Sequence, residues 1–241
     1  GYDNKDVVEN LKAAGFLHLP MKPGYDISKE CRWVSVLNLK GKTKEEIFKE
    51  FSYQTRQDIR TYEKYCVKTR VLNEDQLDVL DEMEKETSER QDFEAMSLDY
   101  YKDLYKFYGK SHIETVLSYL DLDAYAIKMQ SEFDKTSKDI EKTKAFLEQN
   151  PGNVKKEKRL KTDEEYYNSL LKKLSHIEVL KQEYGKEIPL ACCLFVKYGH
   201  QIVYLVGSSN YEHRVFRGPY AIQWKMIQEA IDEGYDLYNF Y

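Results

Sequence analysis

Cysteine is scarce in this 241-residue chain and is placed poorly for chemistry. There are four, Cys31, Cys66, Cys192 and Cys193, and no two stand in a CxxC spacing. That excludes zinc ribbons and thioredoxin-like redox motifs. The adjacent pair lies in an apolar run, where strand alternation sends neighbouring side chains to opposite faces. All four read as small core hydrophobes of a reducing compartment. Histidine is sparse as well: His18, His112, His176, His200 and His213 are scattered, with no HExxH or other metal spacing, so no metal site is expected. No Ser-His-Asp or Cys-His order stands out, and the catalytic residues stay unassigned. There is no signal peptide and no long apolar run, so nothing is expected to cross a membrane. A basic excess is missing too. Lys and Arg number 37 against 42 Asp and Glu, a net charge of -5. This excludes the global positive field of a nucleic-acid binder and leaves only local patches.

What is abundant is charge and tyrosine. Charged residues make up 33%, more than one globular frame needs, which points to a long exposed segment; there are 21 tyrosines, whose apolar ring and polar tip suit clefts and core edges alike. Helical spacing covers Asp3–Ala14, and Phe16–Met21 is apolar enough to extend as a strand. Arg32–Leu39 is rich in β-formers. Thr43 and Glu46 form a capping box before an apolar run, and one helix is expected from there to about Tyr65. A strand follows at Val67–Leu72, an Asn73-capped helix to about Thr87, a polar loop Ser88–Met96, a Tyr-rich helix Ser97–Phe107 ended by Gly109, and a strand at Ile113–Leu120.

The pattern changes at Leu122. To about Gln149 the chain is charged and free of proline, with Ala126, Phe133, Ile140 and Leu147 seven apart. Asn150-Pro151-Gly152-Asn153 is a breaker. A second helix to about Tyr184 carries Leu160, Tyr167, Leu170, Leu174 and Ile177 at alternating four- and three-residue spacing. Together these read as an antiparallel coiled-coil hairpin, each arm about 40 Å long. Ile188–Tyr198 and Gln201–Gly207 then read as a β-hairpin. Periodicity alone therefore implies a mixed α/β frame with a helical arm.

The last stretch, Phe216–Tyr241, is turn, helix and strand. Pro219 sits at the second helical position, where its missing N–H has no intrahelical partner. Ile222, Met226, Ile227, Ala230 and Ile231 mark one buried face, Gly234 stops the helix, and Leu237–Tyr241 alternates as a strand. The run GPYAIQWKMIQEAI followed by YNFY resembles the Fem (FemABX) aminoacyltransferases of peptidoglycan interpeptide-bridge synthesis. The resemblance covers nearly the whole chain. Fem proteins extend further at both ends, so it implies the second of two GNAT-like (acyl-CoA N-acyltransferase-like) lobes, truncated at each end. That lobe is expected over residues 1–121 and 185–241, with the hairpin 122–184 inserted into it.

The resemblance further implies transfer of an amino acid from aminoacyl-tRNA to a stem-peptide amine of a lipid-linked or UDP-linked muropeptide. It implies no cofactor, a cytoplasmic location at the inner face of the membrane with peripheral contact through the lipid-linked substrate, and other Fem-type proteins as partners. On a helix Tyr53, Arg56 and Arg60 share one face, and two guanidiniums with a phenol suit a phosphate. The Fem pattern assigns the precursor diphosphate to Arg56 first and Arg60 second; a solvated basic face is the alternative. Tyr204 and the loop from Gly207 through Ser208 to Asn210 resemble a Fem substrate groove, against a plain exit loop. Arg217 and Tyr220 are expected to line the groove, with Trp224 in the core. The spacing Arg217–Ala221 does not fit a coenzyme A pyrophosphate turn, and Pro219 removes an amide donor such a turn needs. The basic run Lys155, Lys156, Lys158 and Arg159 at the hairpin tip could touch tRNA phosphates or be a solvated coil end. Two other classes stay open: a non-catalytic module recruiting tRNA or protein through the coiled coil, and a coenzyme-A-dependent N-acetyltransferase. Because the base is unassigned, this chain alone is expected to bind substrate and transfer slowly or not at all.

Overall fold

In the computed structural model, residues 5–17, 19 and 34–241 are described. The chain divides into two compact units, Gly1–Val34 and Ser35–Tyr241. In the first, helix α1 spans Lys5–Ala13 and none of its residues is buried. Phe16, Leu17 and Leu19 are not in a strand; the remainder of the Phe16–Met21 run, and Arg32-Trp33 of the expected Arg32–Leu39 strand, lie outside the described residues.

The second unit is built on a six-stranded sheet. Its strands are β1 (Val36–Asn38), β2 (Val67–Leu72), β3 (Ile113–Asp121), β4 (Glu187–Tyr198), β5 (Gln201–Ser209) and β6 (Leu237–Asn239), in the spatial order β1-β6-β5-β4-β3-β2. Neighbours from β2 through β5 are antiparallel; β5 and β6 are parallel, and β1 closes the edge antiparallel to β6. A parallel pair needs a crossover. It is supplied by helix α8, Gly218–Asp232.

Helices cover both faces. On one face α2 (Lys44–Glu50), α3 (Tyr53–Lys64) and α8 pack Ile47, Ile59, Trp224 and Ile227 on Cys193 and Phe195 of β4. On the other, α4 (Asp78–Gln91) and α5 (Leu98–Tyr108) pack Leu80, Met83 and Tyr101 on Cys192 and Leu194. The adjacent cysteines thus take opposite faces, and burial pushes the thiol of Cys193 up to about 12. Trp224 is buried against Phe48 and Phe51 at 5.6 Å from each ring centre.

Two of the expected helices differ in their boundaries. The single helix expected over 44–65 is two. The Thr43–Glu46 capping box is present and opens α2, but Phe51 turns extended and Ser52 caps a new helix, its Oγ accepting from Thr55 N at 3.1 Å. A serine cap satisfies an amide that an unbroken helix would have bonded to its own carbonyl, so the chain can turn there at little cost. Asn73 opens a short 3-10 turn rather than α4, and α4 runs on through Gln91 to Asp92, whose left-handed φ of 57° ends it.

The charged segment forms α6 (Leu122–Gln149) and α7 (Val154–Tyr184). Ion pairs Lys181–Asp123 at 2.9 Å and Lys144–Glu164 at 2.9 Å, and stacked Phe133 and Tyr167 rings 4.6 Å apart, join early residues of one helix to late residues of the other, so the pair is antiparallel. Only the basal part meets the sheet: Leu122, Tyr125, Met129, Leu170, Ile177 and Leu180 are buried with Leu120 and Ile188.

Candidate functional site at the start of the crossover helix

Gly218 places the N-terminus of α8 hard against the sheet. A Cβ there would stand 2.4 Å from Leu190 Cβ and 2.9 Å from Ser118 Oγ, so only glycine fits. Leu190 is the residue skipped where the β3–β4 register shifts between Ser118 and Tyr119. Just before it Arg217 adopts a left-handed φ of 60°, a conformation that costs energy outside glycine. That turn aims the Arg217 side chain at α3.

Its target there is Asp58, only 4% exposed. Arg217 Nε lies 2.8 Å from Asp58 Oδ1, but its N–H does not point along that line, so the contact is coulombic. Gln54 Nε2, one turn earlier on α3, donates to both Asp58 oxygens at 3.2 Å. Tyr220 is electrostatically coupled to the same carboxylate: its pKa is raised above the usual tyrosine value by burial and then by the Asp58 charge, against the opposing pull of Arg217. A buried carboxylate is costly unless paired and hydrogen-bonded; here it has three partners from two helices. The result is a phenol that holds its proton and a fixed guanidinium, two donors able to steady an anionic group or a developing oxyanion. Arg217 and Tyr220, expected to line a groove, are brought together here. Asp58 and Gln54 are what sequence reasoning missed. The only local signal was an amide and a carboxylate four apart in a helix otherwise read for its arginines.

The other expected residues fall differently. Arg56 and Arg60 do share a side of α3, but what they touch there is α2 and the turn after it. Arg56 Nη1 donates to the carbonyls of Lys49 at 2.9 Å and Phe51 at 2.5 Å, closing the end of α2, and the Arg60 guanidinium stands 5.7 Å from the Phe48 ring centre. Tyr53 is 68% exposed and accepts from Gln57 Nε2 at 2.7 Å. The expected loop at Gly207-Ser208 is strand, because β5 continues to Ser209. Tyr204 leans over Gly207, where a Cβ would strike its hydroxyl, and packs on Phe195; burial raises its pKa further than that of Tyr220. Ser208 faces the opposite side of the sheet. It is 3% exposed, and its hydroxyl donates to the Cys192 carbonyl at 3.0 Å, so Tyr204 and Ser208 do not line one groove. At the hairpin tip Lys155 and Lys158 are exposed, Lys156 lies over Phe146 at 5.3 Å, and Arg159 pairs with Asp163 at 3.4 Å.

Among the described residues, no three His, Cys, Asp or Glu side chains are grouped to hold a metal, and no helix is long and apolar enough to cross a membrane.

The FemAB family model matches residues 1–241. Aminoacyltransferase FemA of Staphylococcus epidermidis is 30% identical over 235 residues, covering 98% of this chain and 56% of that protein. FemA of Staphylococcus aureus is 30% identical over 236 residues, covering 98% of this chain and 55% of that protein. The crystal structure of FemX superposes with a TM-score of 0.80 at 23% identity, over 98% of this chain and 60% of that one, a likeness of fold. The chain thus spans a little over half the length of the FemA proteins it matches.

Proposed function

Because the chain belongs to the FemAB family, we propose that it is the acceptor-holding part of an aminoacyltransferase of peptidoglycan interpeptide-bridge synthesis. In this reading an amino acid passes from the ester of an aminoacyl-tRNA to the stem-peptide amine of a lipid-linked or UDP-linked muropeptide. The observation that carries the proposal is the Asp58–Arg217–Tyr220 cluster, whose Asp58 stands on the same helix as Arg56 and Arg60. Arg217 and the free N–H groups of Arg56 and Arg60 take the anionic portions of the acceptor. Tyr220, kept protonated beside Asp58, donates to the carbonyl oxygen as the amine attacks. The donor ester is already activated, so alignment supplies much of the rate. Pro219 at the helix start removes an amide that a coenzyme A pyrophosphate would use, which supports an RNA-ester donor.

The parallel step through α8 supports a GNAT-like reading of the sheet. The seven-residue stripe meeting at Phe133 and Tyr167 supports reading 122–184 as an inserted coiled-coil hairpin. In this reading the protein acts on a lipid-linked precursor at the inner face of the cytoplasmic membrane.

Calorimetric titration of the chain with UDP-linked muropeptide tests the proposal. Arg217→Ala is expected to weaken binding about tenfold, the scale of a lost charge-assisted contact, and Arg56→Ala to weaken it less. Unchanged affinity in both variants would remove this corner from the site.

A further inference from the structure

The loop between β5 and α8 carries a second cationic arrangement. Arg90, in the last turn of α4, places its guanidinium carbon 5.1 Å from the centre of the Tyr211 ring, and Arg214 places its own 4.1 Å from the same ring. One nitrogen of each is tied to a main-chain carbonyl: Arg90 Nη1 donates to Ser209 O at 3.1 Å and Arg214 Nη1 to Tyr211 O at 3.0 Å. Those bonds fix both guanidiniums and leave the other N–H groups of each fork unused. Carboxylates are at hand, Glu86 one turn before Arg90 and Glu212 beside Tyr211. Neither guanidinium forms an ion pair with them or with any other described residue. Two like charges held against one ring repel, and an anion between them relieves that repulsion.

The patch is open. Tyr211 is 56% exposed, and Arg90, Arg214 and Val215 are exposed with it. It is joined to the Asp58 corner through Arg217, whose Nη1 reaches the Arg214 carbonyl at 3.5 Å.

We propose that Arg90, Tyr211 and Arg214 form a phosphate-binding site that takes a single-stranded segment of RNA. A tetrahedral phosphate offers oxygens to forks arriving from two elements, whereas a planar carboxylate suits a single fork. A small phosphate ester needs concave walls to gain affinity. A strand does not, because it adds several exposed contacts, and its unpaired bases stack on tyrosine rings and guanidinium planes. With a net charge of -5 there is no general attraction for RNA, so the contact is local. The choice of RNA as the carrier also rests on the RNA-ester donor reading above.

The test is fluorescence anisotropy of the 241-residue chain with a short labelled single-stranded RNA, across roughly 50 to 300 mM salt. R90A/R214A is expected to weaken binding about tenfold or more at low salt and to flatten the slope of log affinity against log salt by about 1.4, two released phosphate contacts at about 0.7 each. R90K/R214K keeps both charges without the forks; it is expected to restore the slope but not the affinity. It also keeps the test open if the double alanine variant misfolds by circular dichroism. Absence of RNA binding by the unaltered chain, or equal affinity in all three proteins, would overturn the proposal. A parallel titration with UDP separates the two sources of phosphate: weakening confined to UDP would overturn the assignment to RNA. The Arg217 titration above contains no RNA, so either reading can fail alone.

Discussion

Two carboxylates lie under the helices of one sheet, on opposite faces, and they are provided for differently. Asp58 on α3 is 4% exposed and meets Gln54, Arg217 and Tyr220. Glu84 on α4 is 5% exposed, yet its Oε2 has no partner, and the hydrogen bond it does have comes from the Met96 backbone. Desolvation, with the charge of Asp81 adding to it, pushes Glu84 up to about 7 against the relief of that bond. One carboxylate gathers polar partners from two elements; the other, with fewer, is pushed toward taking a proton. A buried carboxylate that meets a guanidinium and an amide from two elements marks a working surface better than burial alone does. The α3–α8 corner is therefore the face to probe for substrate, and the α4 face for pH-dependent stability.

The largest effect should come from removing the isolated acid. The folded pKa of Glu84 is raised, so its protonated form favours folding, and that advantage is lost as pH rises from the ordinary carboxylate range through about 7. Glu84→Gln should flatten this fall and stabilise the protein at pH 8 by roughly 3–4 kcal/mol, the size of a shift of this order at about 1.4 kcal/mol per unit. Denaturant melts at pH 5 and pH 8 measure it; an equal change at both pH values would show that the charge of Glu84 is not the cause. Asp58→Asn should act in the opposite sense, destabilising by about 1–2 kcal/mol at pH 7 in the same melts. The partly exposed Arg217 loses only a partner screened by solvent, which limits the loss. Gln54→Ala removes two 3.2 Å bonds to the Asp58 carboxyl and should cost about 1 kcal/mol, with a second effect as weaker muropeptide binding. If Gln54→Ala alters neither melt nor binding, Asp58 is held by Arg217 and Tyr220 alone. Lys155→Ala with Lys158→Ala at the hairpin tip should change stability by less than about 0.5 kcal/mol, because both side chains are exposed.

Much of this architecture was readable along the chain. Leu122–Gln149 emerges as a helix with the bounds expected of it, since seven-residue spacing and an Asn-Pro-Gly-Asn breaker are local facts. The Thr43–Glu46 box, the Tyr-rich helix ended by Gly109, the β2 strand and the buried face of α8 are equally local. The break at Ser52 was not read, because a serine within a helical pattern is also a tolerable helix residue and only its cap bond to Thr55 decides the case. The failed expectation at Ser208 has a related cause. Gly-Ser-Ser-Asn has loop composition, but pairing with β4 carries it on as strand through Ser209.

Periodicity, caps and breakers acted within a few residues of each other, so most of the helices and strands, the two long charged helices, the buried Trp224 and the opposite-facing cysteines followed from the chain itself. The site did not, because its members lie far apart: Asp58 acquires meaning only when the crossover through α8 returns Arg217 and Tyr220 to it. The same folding turned Arg56 toward the end of α2 and put the Arg90 and Arg214 guanidiniums over one ring. Partners for a buried charge are a property of three-dimensional proximity, and no spacing along one segment encodes them.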